Sequence, residues 1–202
     1  MLLNHLTGML VHPIRENGNM VQDADYALVK QFLEGSEPAF NEIVRKYQKR
    51  IYWHARQMLG NHLDADEVTQ EVLIVMYKKL KSFNYQSNLF TWIYRIVTTR
   101  SLNQIRKRKV KNFFSINDEE NEVELRSDVD IVNDIVNKER LEKVKKVLET
   151  LPVKQRQIFV MRNFEQLSYE EISEITGKSV GGLKANYFHA IKKVLEKTNE
   201  RE

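Results

Sequence analysis

Asp64, Glu67 and Glu71 stand at i, i+3 and i+7, a spacing that sets three carboxylates on one face of a helix, with Gln70 beside them. Such a row can hold a cation, face water, or meet a basic partner. A metal-dependent nuclease would need a second cluster to complete its ligand set, and the sequence supplies none. His54 and His62 lie nearby, but their spacing to Asp64 and Glu67 does not close a metal site, so no metal or cofactor is expected. From Arg95 the chemistry reverses. Arg95, Arg100, Arg106, Lys107, Arg108, Lys109 and Lys111 follow one another with no acid from 95 to 111. A run of one sign suits a polyanion, although a basic helix end also complements the helix dipole.

These groups need elements to position them. Val68, Val72, Val75 and Met76 recur at helical spacing behind the acids. The segment KSFNYQSNLFTW then breaks the pattern with Asn84, Gln86, Ser87 and Asn88. Leu89, Phe90, Trp92, Ile93 and Ile96 resume it, so a short structured loop leads into a new helix. Trp92 reads either as core or as a stacking platform. Upstream, Leu28, Val29, Phe32 and Leu33 mark a short helix closed by Gly35. Ser36 and Pro38 then open a scaffold helix with an apolar stripe of Phe40, Ile43, Val44, Tyr47, Ile51, Ala55, Met58 and Leu59, ending at Gly60. With only three prolines and seven glycines in 202 residues, and little β-branched alternation, the fold class is all-α. At 42% hydrophobic content the chain can bury one or two small cores, enough for two domains.

The composition shifts after the basic run. Residues 112–137 carry eight acids against one base, Arg126; taking that net charge of −7 from a chain at +4 leaves +11 elsewhere. A stretch so charged reads as a flexible acidic linker. A second helical unit spans 138–202, with Leu141, Val144, Val147, Leu148 and Leu151, then Pro152, Ile158, Phe159 and Met161. It ends in a helix-turn-helix pattern. There Ser168 and Glu171 form a capping box, Ile172 and Ile175 face inward, Gly177 makes the turn and Ser179 caps the second helix. Leu183, Ile191 and either Tyr187 or Phe188 bury that helix's inner face.

The stretch Leu63 to Lys109 resembles region two of bacterial RNA polymerase sigma factors of the extracytoplasmic-function group. The resemblance is carried by Glu67 with Gln70 and Glu71, the aromatic loop Phe83 to Phe90, and Thr91 to Ile96. The 138–202 unit resembles region four of the same family. The resemblance implies two small helical domains: residues 23–111 for clamp docking and the minus-ten element, and 138–202 for the minus-thirty-five element. Residues 1–22 would be an extension, the globular pattern beginning only after Met20. It further implies that Asp64, Glu67, Gln70 and Glu71 dock on the clamp helices of core polymerase, whose flap meets the second unit. Asn84, Tyr85, Gln86, Ser87, Arg95, Thr99, Arg100, Asn103, Arg106 and Lys107 would meet the minus-ten element. Lys178, Ser179, Gly182, Lys184, Asn186, Tyr187, His189 and Lys192 would meet the minus-thirty-five element. The linker would thread through the polymerase, or act as a plain tether.

Two departures from the family stand out. Thr99 occupies a position where members commonly carry asparagine, with Asn103 kept one turn on. Gly182, Lys184, Asn186 and His189 stand where threonine and arginines are frequent; arginine grips guanine more rigidly than lysine. Promoter choice through a recruiting partner is one expectation; a different promoter sequence is the simpler one. An anti-sigma factor is another expected partner. The rival class, a helix-turn-helix repressor, would not need the acidic face and aromatic loop. No cysteines and no apolar run near the roughly 20 residues of a membrane span lead to an expected cytoplasmic location without membrane insertion. The first 22 residues lack the apolar core and cleavage site of a signal peptide.

Overall fold

The computed structural model describes the backbone of residues 18–114 and 135–199, and the side chains of 23–113 and 143–198. Residues 1–17 and the acids from Asp118 to Asp134 lie outside that range. Among the described residues every regular element is helical: α1 (Gly18–Leu33), α2 (Glu37–Leu59), α3 (His62–Lys79), α4 (Leu89–Phe114), α5 (Ile135–Thr150), α6 (Val153–Asn163), α7 (Tyr169–Thr176) and α8 (Val180–Asn199). Helix α4 runs through 112–114 and α5 begins at 135, so both ends of the segment read as linker are helical.

Local chemistry sets most of the boundaries. Gly60 ends α2 at φ +85°, a left-handed conformation that costs a side-chain-bearing residue, and donates its N–H to the Arg56 carbonyl. Asn61 then caps α3, its side chain accepting from the Asp64 N–H at 2.8 Å. Asn88 does the same for α4, accepting from Thr91 N–H at 2.7 Å. Ser168 and Glu171 make the reciprocal capping box of α7. Helix α2 is the central pillar, with α1, α3 and α4 packed round it. Ile43, Ile51, Ala55, Met58, Val72 and Met76 are fully buried there; each large one contributes roughly 1.5–3 kcal/mol through lost water contact. Leu33, expected in the stripe of α1, is instead exposed at the helix end.

The two halves do not stand apart. Ile158, Val160, Met161, Leu167, Ile172, Ile175 and Leu183 of the second half join the same apolar cluster as the bundle of the first. Helix α6 packs on α2, and α7 on α4. A smaller cluster of Val144, Val147, Leu148, Leu151, Phe159, Ala190 and Val194 ties α5, α6 and α8 together.

Candidate polymerase and nucleic-acid interface

Helices α3 and α4 lie side by side, and the acids of one meet the bases of the other. Arg108 reaches Asp64 at 2.9 Å, Lys107 reaches Glu67 at 3.7 Å and Arg100 reaches Glu71 at 3.4 Å. Between them Gln104 donates to both Asp64 (2.7 Å) and Glu67 (3.0 Å). Burial pushes the Asp64 carboxyl upward, but hydrogen bonds from Asn61 and Gln104 and the Arg108 charge outweigh it. The group is therefore held below the usual carboxylate range.

This pairing divides the expected nucleic-acid set between two sides of α4. Arg100 and Lys107, expected as phosphate contacts, share the acid-facing side of α4 with Gln104 and Arg108. Arg95, Thr99, Asn103 and Arg106, spaced by four, four and three, form a second stripe on which all four are exposed. Thr99 gives its hydroxyl to the Arg95 carbonyl at 2.7 Å, and Asn103 accepts from Arg106 at 3.2 Å. Arg95 donates its Nε to the carbonyl of Glu174 in α7 at 3.0 Å.

The outer face of α3 carries residues absent from the expected set. Leu63, Glu67, Gln70, Ile74 and Tyr77 recur by four, three, four and three and are all exposed; Leu63 is 74% and Ile74 54% accessible. Apolar residues on this spacing fit a neighbouring helix. The signal was present in the sequence, but Leu63 and Ile74 sit off the buried valine stripe and so pass for ordinary surface.

The loop before α4 is built from aromatic contacts. Phe83 is buried, and Tyr85, at φ +59°, packs tilted against it (4.9 Å between centroids) and stands edge-on to Tyr26 at 5.0 Å. Trp92 packs on Phe83 at 5.7 Å and is only half-buried, so it is core on one side and open on the other. Asn84 accepts from the Gln86 N–H at 3.3 Å, and the Ser87 carbonyl accepts from Tyr26 at 3.5 Å. The loop thus presents Asn84, Tyr85 and Gln86 outward on a fixed aromatic base, with Ser87 half-buried.

In the second half, Ser179 caps α8 through the Gly182 N–H at 3.3 Å, leaving Gly181, Gly182, Lys184, Phe188, His189 and Lys192 exposed. Asn186 donates to the Gly182 carbonyl at 2.8 Å. Tyr187 turns inward: it is half-buried, its hydroxyl donates to Asn163 at 3.1 Å, and burial raises its pKa. Phe188 is the residue that points out, 65% exposed. Lys178 donates to Gln157 at 3.0 Å, and burial together with Lys154 lowers its pKa. His54, considered above with His62, lies inside against Glu165; among the described residues no group of three potential ligands gathers to hold a metal.

Comparison with known proteins agrees with this layout. Residues 43–110 match the family described as sigma-70 region 2, and residues 141–194 that described as sigma-70, region 4. The ECF RNA polymerase sigma factor SigW of Bacillus subtilis is 31% identical over 77% of this chain and 87% of its own length. The ECF RNA polymerase sigma-E factor of Haemophilus influenzae is 31% identical over 84% of this chain and 92% of its own. Among solved structures, CnrH in complex with the cytosolic domain of CnrY superimposes with a TM-score of 0.66 at 19% identity. That match covers 89% of this chain and 99% of the other. RpoE of Bartonella quintana, in complex with the anti-sigma factor NepR, gives 0.63 at 22% identity, covering 81% and 98%.

Proposed function

The chain belongs to the extracytoplasmic-function group of sigma-70 factors of RNA polymerase, and from that premise we propose how its surfaces divide the work of transcription initiation. The outer face of α3, with Glu67 and Gln70 flanked by Leu63 and Ile74, and with Asp64 and Glu71 along its edge toward α4, docks on the clamp helices of core polymerase. The observation that carries this reading is the exposed four-three spacing of Leu63, Glu67, Gln70, Ile74 and Tyr77 on one helix. The charges steer the encounter and fix register, while the apolar positions add contact area.

The stripe Arg95, Thr99, Asn103 and Arg106, with the loop Asn84 to Ser87, receives the minus-ten element. Opening DNA there means taking a base from its stack at a cost of a few kcal/mol, which a pocket on the Phe83–Tyr85–Trp92 base offsets. The hydroxyl of Thr99 offers one weak contact where an amide would offer two, so discrimination falls more on Asn103. Arg100 and Lys107 reach phosphate only by leaving Glu71 and Glu67. Helix α8 places Gly182, Lys184, Phe188 and His189 in the major groove of the minus-thirty-five element. There a ring at 188 suits a thymine methyl, and Ser179 with the bare backbone at Gly182 approaches a phosphate. The chain itself performs no catalysis, works in the cytoplasm where polymerase and genome meet, and is held in check by an anti-sigma partner.

Transcription with core polymerase and this chain on promoters randomised at both elements tests the reading. Enrichment of two defined motifs is the expected result. Enrichment of neither, with core bound, would show that a recruiting partner supplies the choice; failure to bind core would overturn the assignment.

A further inference from the structure

One aromatic ring gathers two cations where the helix-turn-helix begins. Tyr169 is the first residue of α7. The Arg162 guanidinium, from the last turn of α6, lies 4.6 Å from the centre of the Tyr169 ring, and the Lys184 ammonium, from α8, lies 5.6 Å from it. Tyr187 stands edge-on to the same ring at 6.1 Å and is itself fixed through its hydroxyl to Asn163. Arg162 donates to the Leu167 carbonyl, while its Nε is buried with no hydrogen-bond partner among the described residues. Neither cation meets a carboxylate among those residues. The negative face of the ring is therefore what holds the Lys184 charge in place.

That hold decides where Lys184 can reach. In a helix-turn-helix docked on duplex DNA, the second helix lies in the major groove while the first crosses the sugar-phosphate backbone. A side chain of α8 whose charge rests over the first residue of α7 is drawn to the wall of the groove, where the phosphates are, and away from the base edges on its floor. Two cations over one ring, with no acid to offset them, also raise the positive potential at that spot, and a phosphate relieves it. Phosphate contacts set register and carry no sequence information directly. We propose that Tyr169, steadied by Arg162, is a positioning residue that turns Lys184 onto a backbone phosphate, so that the base pair facing position 184 goes unread. The inference rests on the sigma-factor reading above and deepens it at one residue: the minus-thirty-five element of this chain carries no preference for guanine at that base pair.

Holoenzyme assembled from core polymerase and the full chain, bound to minus-thirty-five duplexes, tests it. Two quantities are read: base selection at randomised positions, and loss of affinity when single phosphates are replaced by neutral methylphosphonates. For the wild type, one neutralised phosphate should weaken binding by about tenfold, the worth of one hydrogen bond to a charged group, and Lys184→Ala should be indifferent to that replacement. Tyr169→Leu should lose the same footprint, while Tyr169→Phe, which keeps the ring and drops the hydroxyl, should retain it. Lys184→Arg alone should gain no guanine preference. Combined with Tyr169→Leu, it should select guanine by about tenfold, as one bidentate pair can. Circular dichroism checks that Tyr169→Leu keeps its helices; Lys184→Arg leaves the ring untouched and tests the point even where Tyr169→Leu unfolds. Guanine selected by the wild type and lost in Lys184→Ala would overturn the proposal, as would guanine gained by Lys184→Arg alone. So would a phosphate footprint that survives in folded Tyr169→Leu, or one lost equally in Tyr169→Phe, which would give the role to the hydroxyl. Any of these with a minus-thirty-five element still selected discards the positioning alone; a wild-type chain that forms no holoenzyme, or selects no such element, discards the reading beneath it.

Discussion

The cations of the two halves keep different company. On α4, Arg100, Lys107 and Arg108 face Glu71, Glu67 and Asp64 of the neighbouring helix. On and before α8, Lys184 lies over the ring of Tyr169 at 5.6 Å, Lys178 bonds the Gln157 amide, and Lys192 approaches Glu196 of its own helix at 3.8 Å. The first half thus holds part of its positive charge against the row proposed to dock on polymerase, whereas of these three lysines of the second half only Lys192 meets a carboxylate. Release of one side of the α3–α4 pairing favours occupation of the other. By linkage, polymerase and minus-ten DNA should each strengthen the binding of the other, a coupling not expected for the second half.

The largest effect that would break this comparison is structural. Gly177 ends α7 at φ +68°, and nothing within 4 Å would meet a Cβ there, so Gly177→Ala acts through backbone strain alone. It should destabilise by about 1–2 kcal/mol and lower the melting point by about 2–8 °C for a chain of this size. Calorimetry should show this with minus-thirty-five binding hurt more than minus-ten binding; equal loss at both would mean that the halves do not act separately. Next come the lysines. Lys184→Ala should weaken binding to minus-thirty-five duplex across sequences and reduce the salt slope by about 1, while Lys107→Ala reduces the minus-ten slope by less. Titrations at several salt concentrations measure both, and equal slopes would erase the distinction.

A smaller effect sharpens it. Glu67→Gln removes the partner of Lys107, and should strengthen minus-ten binding by a coupling of about 0.2–1 kcal/mol, as expected for an exposed pair. A double-mutant cycle with Lys107→Ala isolates that value, and a coupling of zero would leave the pairing without consequence. The smallest effect is acid sensitivity. The Asp64 pKa is lowered in the folded chain, so its contribution is present above the ordinary carboxylate pKa and is lost as pH falls through the lowered one. Asp64→Asn should flatten the acid limb of the stability curve; an unchanged limb would place the sensitivity elsewhere.

Much of this arrangement was legible in the sequence wherever the cause was local. Gly60, Gly177, Asn88 and the Ser168–Glu171 box mark helix ends because the chemistry of a helix end involves only residues within a few positions of one another. The acid row and the basic run were legible by type and spacing. Their mutual pairing was not, since Arg108 meets Asp64 across 44 residues and the register of α3 on α4 follows from packing. Tyr187 and Phe188 could not be told apart by periodicity, because both sit near the edge of the buried stripe; the hydrogen bond to Asn163 decides for Tyr187. His54 reads as a scaffold residue until Glu165, 111 positions away, is brought to it.

The central claim is that the carboxylates of α3 hold the polymerase. Glu67→Lys combined with Glu71→Lys, checked by circular dichroism for retained helix, should weaken binding to purified core polymerase on the order of a hundredfold, because like charges would then face one another across the contact. Binding of the folded double variant at wild-type affinity would contradict the account.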